Sequence, residues 1–396
     1  MLSSEKWIFQ RETGSVMRAK CREHRNSMEI SVMMRDFSAP PRWRFLLCAV
    51  LLLAVHLSAC AKPLIPVVAH ASPPAILSLV DKAGIRDDRA RFREIMNAIM
   101  ADHGAGLPDN RPTDDDNILW HLGGEAPPSG KSVSLAPSSA GLRLVLVPGV
   151  LAQCVSQSSL LFEDARANVE LRGYSTTLVS TGGRLSSKHN AAIIRDSVAV
   201  LPKEDKLVFV THSKGAVDVL EALTYFPEII PRTVAVVSVA GAINGSPLAD
   251  TFSDGLFRLA ESMPLSSCPP GEGTEAFDSL RRPVRLSFLA EHPLPVTIRF
   301  YSLPAFATRE DISLLLKPFY DILAKTDPLN DGLVIASDAI FPGATLLGYP
   351  NADHLAVAMP FTQRGLLRTI INKNAYPRAA LLEAIARYVE EDLARK

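Results

Sequence analysis

The sequence has no P-loop, no glycine-rich dinucleotide fingerprint and no zinc-type cysteine cluster, so the commonest phosphate, nicotinamide and structural-metal chemistries have no motif to rest on. It has no excess of charge of one sign: Lys+Arg and Asp+Glu both total 42 in 396 residues. That balance removes the basic field expected of a nucleic-acid binder. No internal repeat of solenoid length is present. Cysteine is sparse at five residues, and no convincing calcium site stands out. What is present is ordinary for a globular protein, 47% hydrophobic and 21% charged, in a chain long enough for one large domain with additions.

The long apolar run that does occur is short for a membrane span. Residues 45–57 are apolar over about 13 positions, against about 20 for a permanent helix. Arg42 and Arg44 precede it and small residues follow, the layout of a secretory signal. Leu57-Ser58-Ala59-Cys60 resembles the lipobox of bacterial lipoproteins. The resemblance implies that Cys60 is lipidated and becomes the first residue. Ala61 and Lys62, with no aspartate, favour the outer membrane, so the expected location is the cell envelope, lipid-anchored and facing the periplasm. About 40 residues precede the signal, and Met33 or Met34 is a better-placed start. Removing residues 1–59 takes away nine basic and five acidic groups and leaves a net charge of −4. Cys154 and Cys268 are then two thiols in an oxidising compartment, where they pair or stay free.

Three segments are expected. Residues 1–59 are the upstream piece and signal. Residues 60–140 are a tether and a helical extension, with a charged amphipathic helix over 87–100. Residues 141–396 alternate strands with helices. Strands fall at 142–147, 175–180, 206–210, 233–239, 296–302 and 345–348, and helices at 158–171, 190–201, 215–226, 311–324 and 379–393. This alternation predicts the α/β class, a mostly parallel sheet flanked by helices. Residues 245–295 interrupt it as an insertion rich in Ser, Pro and Gly. Within that insertion Leu248, Phe252, Leu256, Leu259 and Met263 fall on one helical face.

One junction carries chemistry. In Val210-Thr-His-Ser-Lys-Gly-Ala216 a serine sits between a strand-like run and a helix-like run. A nucleophilic serine needs a base, an orienter for that base, and donors for an oxyanion. Downstream, the histidines are His292, inside the insertion, and His354, just past the last strand. The acids upstream of His354 are Asp327, Asp331, Asp338 and Asp353, the last too close in sequence for an easy side-chain bond.

Over about residues 142–396 the chain resembles the serine α/β-hydrolases of bacterial lipase and esterase type. Thr211-His-Ser-Lys-Gly215 matches their G-x-S-x-G at the serine and the second glycine, with Thr211 in place of the first. "NDGLV" resembles their aspartate segment, "ADHLAV" their histidine segment, and "NGSPLAD" the stretch after their sixth strand. "LVLVPGVL" resembles their oxyanion loop, with Pro148 in place of a histidine. The resemblance implies Ser213 as nucleophile, Asp331 as orienter and His354 as base. The N–H groups of Val150 and Lys214 would form the oxyanion hole, and the insertion after the sixth strand would be a cap. It implies hydrolysis of small-molecule or lipid esters; some lipases of this type carry calcium, but the residues here show no convincing site, so no cofactor or metal is expected, and the charge balance points to no nucleic acid. An acyltransferase on the same triad, or a surface lipoprotein using the scaffold to bind, are the alternatives. His212 is expected to be structural and to point away from the reacting face. Asp218 is expected on a solvated face or as a buried cap partner, and Lys214 is expected to act through its backbone.

Overall fold

The computed structural model describes residues 84–108, 118–150, 160–251, 275–361 and 369–395. Cys60, Cys154, Cys268, the signal segment and most of the apolar stripe after Leu248 lie outside the described residues.

Unbroken runs of branched apolar residues suit strands covered on both faces. In chain order the strands are β1 (Arg86–Asp87), β2 (Leu142–Val147), β3 (Ser175–Leu178), β4 (Lys206–His212), β5 (Thr233–Val239), β6 (Arg299–Leu303) and β7 (Thr345–Leu346). They form one seven-stranded sheet in the order β1-β7-β6-β5-β4-β2-β3, and every neighbouring pair is parallel. The helices are α1 (Arg89–His103), α2 (Arg166–Leu171), α3 (Ser187–Ala199), α4 (Lys214–Tyr225), α5 (Pro247–Thr251), α6 (Glu275–Asp278), α7 (Arg282–Glu291), α8 (Lys317–Leu323) and α9 (Arg378–Ala394).

Alternation along the strands sorts the core into two layers. Leu142, Leu144, Leu146, Val208 and Val210 pack with Phe92 and Ile95 of α1 and with Leu381, Ile385 and Val389 of α9. Val145, Val147, Leu207 and Phe209 face the other way and pack with Ile194 and Val198 of α3 and Val219 and Leu223 of α4. Each fully buried aliphatic side chain is worth roughly 1.5–3 kcal/mol of transfer free energy, so this sandwich of helices on the sheet supplies the main driving force. The result is the α/β architecture expected from the alternation.

From β2 the chain goes outward to β3 and then crosses back to β4 on β2's other side. In open parallel sheets such a reversal marks the place, at the carboxyl ends of the strands (here β2 and β4), where ligands bind. The loops leaving those strands are residues 148–150 and Ser213.

Several elements differ from expectation. The helix expected over 158–171 starts only at Arg166, after turns in which Phe162 holds a left-handed φ of 51°. The helix expected over 311–324 is α8 alone, because Pro318 is tolerated in a first helical turn but not inside a helix. The insertion lies between β5 and β6 of this chain and carries α7, a ten-residue helix absent from the sequence reading. Among the described residues, no helix is long and apolar enough to cross a membrane.

The segment before residue 141 enters the sheet. Arg86 and Asp87 pair with Thr345 and Leu346 at the β7 edge. Arg86 donates to Asp392 at 2.8 Å, Arg299 to the same carboxylate at 2.7 Å and Tyr301 at 2.7 Å. Burial pushes the Asp392 carboxyl up, but the hydrogen bonds from Tyr301, Arg299 and Arg86 outweigh it and hold the group below the usual carboxylate range. Its folded value therefore lies below its unfolded value. The stabilisation is complete above about pH 4 and disappears as pH falls through the folded value. Asp392→Asn is expected to cost about 2–3 kcal/mol at neutral pH and to flatten the acid limb of a stability–pH curve. Denaturant titrations from pH 7 down to pH 3 check it, and a wild-type acid limb in the variant would refute it.

Candidate active site

β4 ends at His212 and α4 begins at Lys214, which leaves Ser213 alone to turn the chain. Its φ is 55° and ψ −128°, one of three left-handed non-glycine residues among those described. Strain of this kind is held only where surrounding structure over-determines it. Here the Ser213 carbonyl accepts from Ala216 and Ala242, both at 3.2 Å. The serine side chain is thereby presented at the head of a 12-residue helix, whose first N–H groups have no partner within the helix.

Two glycines permit this. A Cβ on Gly215 would lie 2.2 Å from the Val147 carbonyl oxygen and 2.7 Å from that of Pro148. A Cβ on Gly149 would lie 2.5 Å from the Ser213 Cβ. The loop after β2 and the head of α4 are therefore in backbone contact, and Val150 is the next residue along, packed with Val217 and Ala242. Thr211, where the family motif has glycine, is fully buried, and its hydroxyl donates to the Val237 carbonyl at 3.1 Å. The β-branched side chain is absorbed by the neighbouring strand. Gly215→Ala must displace the end of β2. It is expected to cost about 1–3 kcal/mol and to reduce turnover, as thermal denaturation and ester assays would show; wild-type values for both would remove the argument.

His354 and Asp331 meet, as the resemblance implied. His354 Nδ1 lies 2.7 Å from Asp331 Oδ2, and both side chains are almost fully buried. The other carboxylate oxygen of Asp331 accepts from Leu333 at 2.9 Å and Val334 at 2.7 Å. The His354 N–H donates to the Asp331 carbonyl at 2.9 Å. With Nδ1 spent on a carboxylate, the imidazole keeps Nε2 for a reacting group.

The competing acids are engaged elsewhere. Asp353 accepts from Leu355, Ala356 and Ser313 N–H groups and so shapes the loop that carries His354. Asp327 accepts from Leu329. Asp338 pairs with Arg282 at 3.0 Å, and burial raises its carboxyl to about 6. His292 ends α7 and packs against Phe288 and Tyr225. Lys214 is buried and its ammonium sits 2.6 Å from Asp218, which also accepts from Asn190 at 2.8 Å. Asp218 is thus a buried partner and not a solvated residue.

His212 is a correction. Instead of pointing away from the site, its ring lies against that of His354, 4.7 Å between centroids, and its Nε2 is 2.8 Å from the His354 carbonyl. The motif flagged this residue by position only. The N-terminal extension, to which the sequence assigns no chemistry, packs on the loop leading to His354: Trp120 donates to the Tyr349 carbonyl, Asn351 to that of Ile118, and Leu119 bridges Pro350. Among the described residues, no group of three or more His, Cys, Asp or Glu side chains is arranged to hold a metal.

No protein-family model and no curated protein matches the sequence. Solved structures do. A metagenomic carboxyl esterase is 69% identical over 82% of this chain and 97% of its own, with a TM-score of 0.77. A lipase of Staphylococcus hyicus shares the fold at 11% identity, over 67% of this chain and 100% of its own, with a TM-score of 0.50. With a parallel sheet, a strained serine turn and a buried Asp-His pair already in place, the identity to the first of these settles the family: the chain belongs to the carboxyl esterases of the α/β-hydrolase fold.

Proposed function

We propose that this esterase cleaves its substrates through Ser213, His354 and Asp331 and an acyl-enzyme. The observation that carries the reading is the buried 2.7 Å contact between His354 Nδ1 and Asp331, joined through His212 to the turn that presents Ser213. Ser213 passes its proton to His354 Nε2 while its oxygen bonds to the ester carbonyl carbon. The tetrahedral oxyanion is held by the N–H groups of Val150 and Lys214, each donor being worth about 3 kcal/mol. The intermediate collapses, the C–O bond to the alcohol breaks, and the alcohol leaves with the proton from His354. Water then repeats the sequence and the carboxylic acid departs. Asp331 fixes the tautomer of His354 and stabilises the imidazolium.

The test is covalent labelling. Residues 61–396 are treated with a fluorophosphonate, which reacts only with an activated serine, and the modified peptide is mapped. An adduct on Ser213 that is lost in His354→Ala supports the reading. A folded protein with no adduct there removes it and favours a binding role for the scaffold.

The Leu57–Cys60 lipobox supports a second part of the proposal, a lipid anchor at Cys60 that holds the enzyme at the outer membrane facing the periplasm. Incorporation of labelled palmitate that disappears in Cys60→Ala checks it, and incorporation that persists refutes it.

A further inference from the structure

His354 has four polar handles: its N–H, its carbonyl and two ring nitrogens. Asp331 takes the N–H and Nδ1. His212 takes the carbonyl, at 2.8 Å. A carbonyl can only accept, so His212 must carry its proton on Nε2. The contact is buried, with His212 2% exposed and His354 2% exposed. It joins positions 142 residues apart, and one of them is the residue immediately before the nucleophile. His212 itself is held on both sides, by pairing with Val239 in the sheet and by the turn at Ser213. A shift of the base loop therefore has to break a buried hydrogen bond or move the end of a central strand.

We propose that His212 is a positioning residue for the ester cleavage: its Nε2–H, anchored to the nucleophile's own strand, sets where the base stands relative to Ser213. This rests on the triad reading above. The tilted ring contact adds a second constraint, because it limits rotation of the His354 ring about its Cβ–Cγ bond. Neutrality is part of the arrangement. Burial first, and the neighbouring His354 second, keep the His212 ring unprotonated down to about 3. Its single ring proton therefore stays on Nε2, donated to the His354 carbonyl, at neutral pH, and His212 adds no second cation beside the imidazolium that forms during turnover.

A displaced base costs rate far more than binding, and about 1 Å of misplacement is worth on the order of 100-fold. His212→Phe keeps an aromatic ring and removes the donor. It is expected to lower kcat on a short p-nitrophenyl ester by about 100-fold with KM within about twofold, and to slow fluorophosphonate labelling of Ser213 in proportion. His212→Gln places an amide N–H near the position of Nε2 and should recover most of the rate, whereas the shorter His212→Asn should not. If the Phe variant does not fold, the Gln and Asn pair carries the comparison. Equal rates for Gln and Asn, or a folded Phe variant with wild-type kcat, would overturn the positioning role. Wild-type labelling at a residue other than Ser213 would overturn the triad and this inference with it, and mapping the adduct tells the two failures apart.

Discussion

Ser213→Ala is expected to lower ester turnover by about 10⁴-fold or more while leaving the fold intact. The size follows from what the side chain does. Removing the oxygen removes the acyl-enzyme, and water must then attack with help only from the oxyanion donors and from binding. The fold should survive because the turn is held by backbone bonds, from Ala216 and Ala242 to the residue 213 carbonyl, which alanine keeps. Alanine is no less tolerant than serine of a left-handed φ, since both carry a single Cβ. Turnover of a p-nitrophenyl ester and a thermal melt measure the two halves of the expectation. Retained turnover would show that another group is the nucleophile.

Asp331→Asn should be nearly as severe, about 10⁴-fold in kcat. The amide can donate to His354 Nδ1, which drives the imidazole proton onto Nε2 and leaves no lone pair to take the serine proton. Geometry should change little, because the oxygen that accepts from Leu333 and Val334 can remain an oxygen. Asp353→Asn is the informative contrast. That carboxylate binds three backbone N–H groups, whereas the imidazole Nδ1 is held by Asp331. Its loss should appear mainly as lower stability. Comparable kcat losses at positions 331 and 353 would mean that loop shape, and not tautomer control, governs the rate.

How much of this could be read from residues alone depends on the range of the interaction. β2, β4 and β5 announce themselves because a strand covered on both faces must be apolar throughout. α4 and α9 are legible through the periodicity of their buried faces. β1 is not, since Arg86 and Asp87 have no apolar signature and are held by pairing with β7 and by ion pairs to α9. α7 is missed for the opposite reason: Val284 and Leu286 are exposed, the one residue it fully buries is Arg285, and only Phe288 and Leu289 turn to the core, too few to mark a helical face. The approach of Asp331 to His354 was visible in local context and order. The place of His212 was misjudged because strand alternation gives the direction of a side chain but not which distant loop arrives there.

The edge strand and the residues after it also have a consequence for the order of events during synthesis. Arg86 meets Tyr388 across 302 residues, and the Ile118 carbonyl accepts from Tyr376 across 258. A ribosome releases the first of each pair long before the second exists. Pairings of such sequence separation form late, because the loop they close must be ordered first. The loop that carries His354 is braced by residues 118–120; Tyr376, just ahead of α9, bonds the Ile118 carbonyl, and Ile118 and Leu119 share a core with α1 and α9. A nascent chain that stops short of α9 thus has its serine turn and its Asp-His segment but lacks the helix that shares a core with α1 and residues 118–119. Hydrolytic competence should arrive in one step, with the last helix.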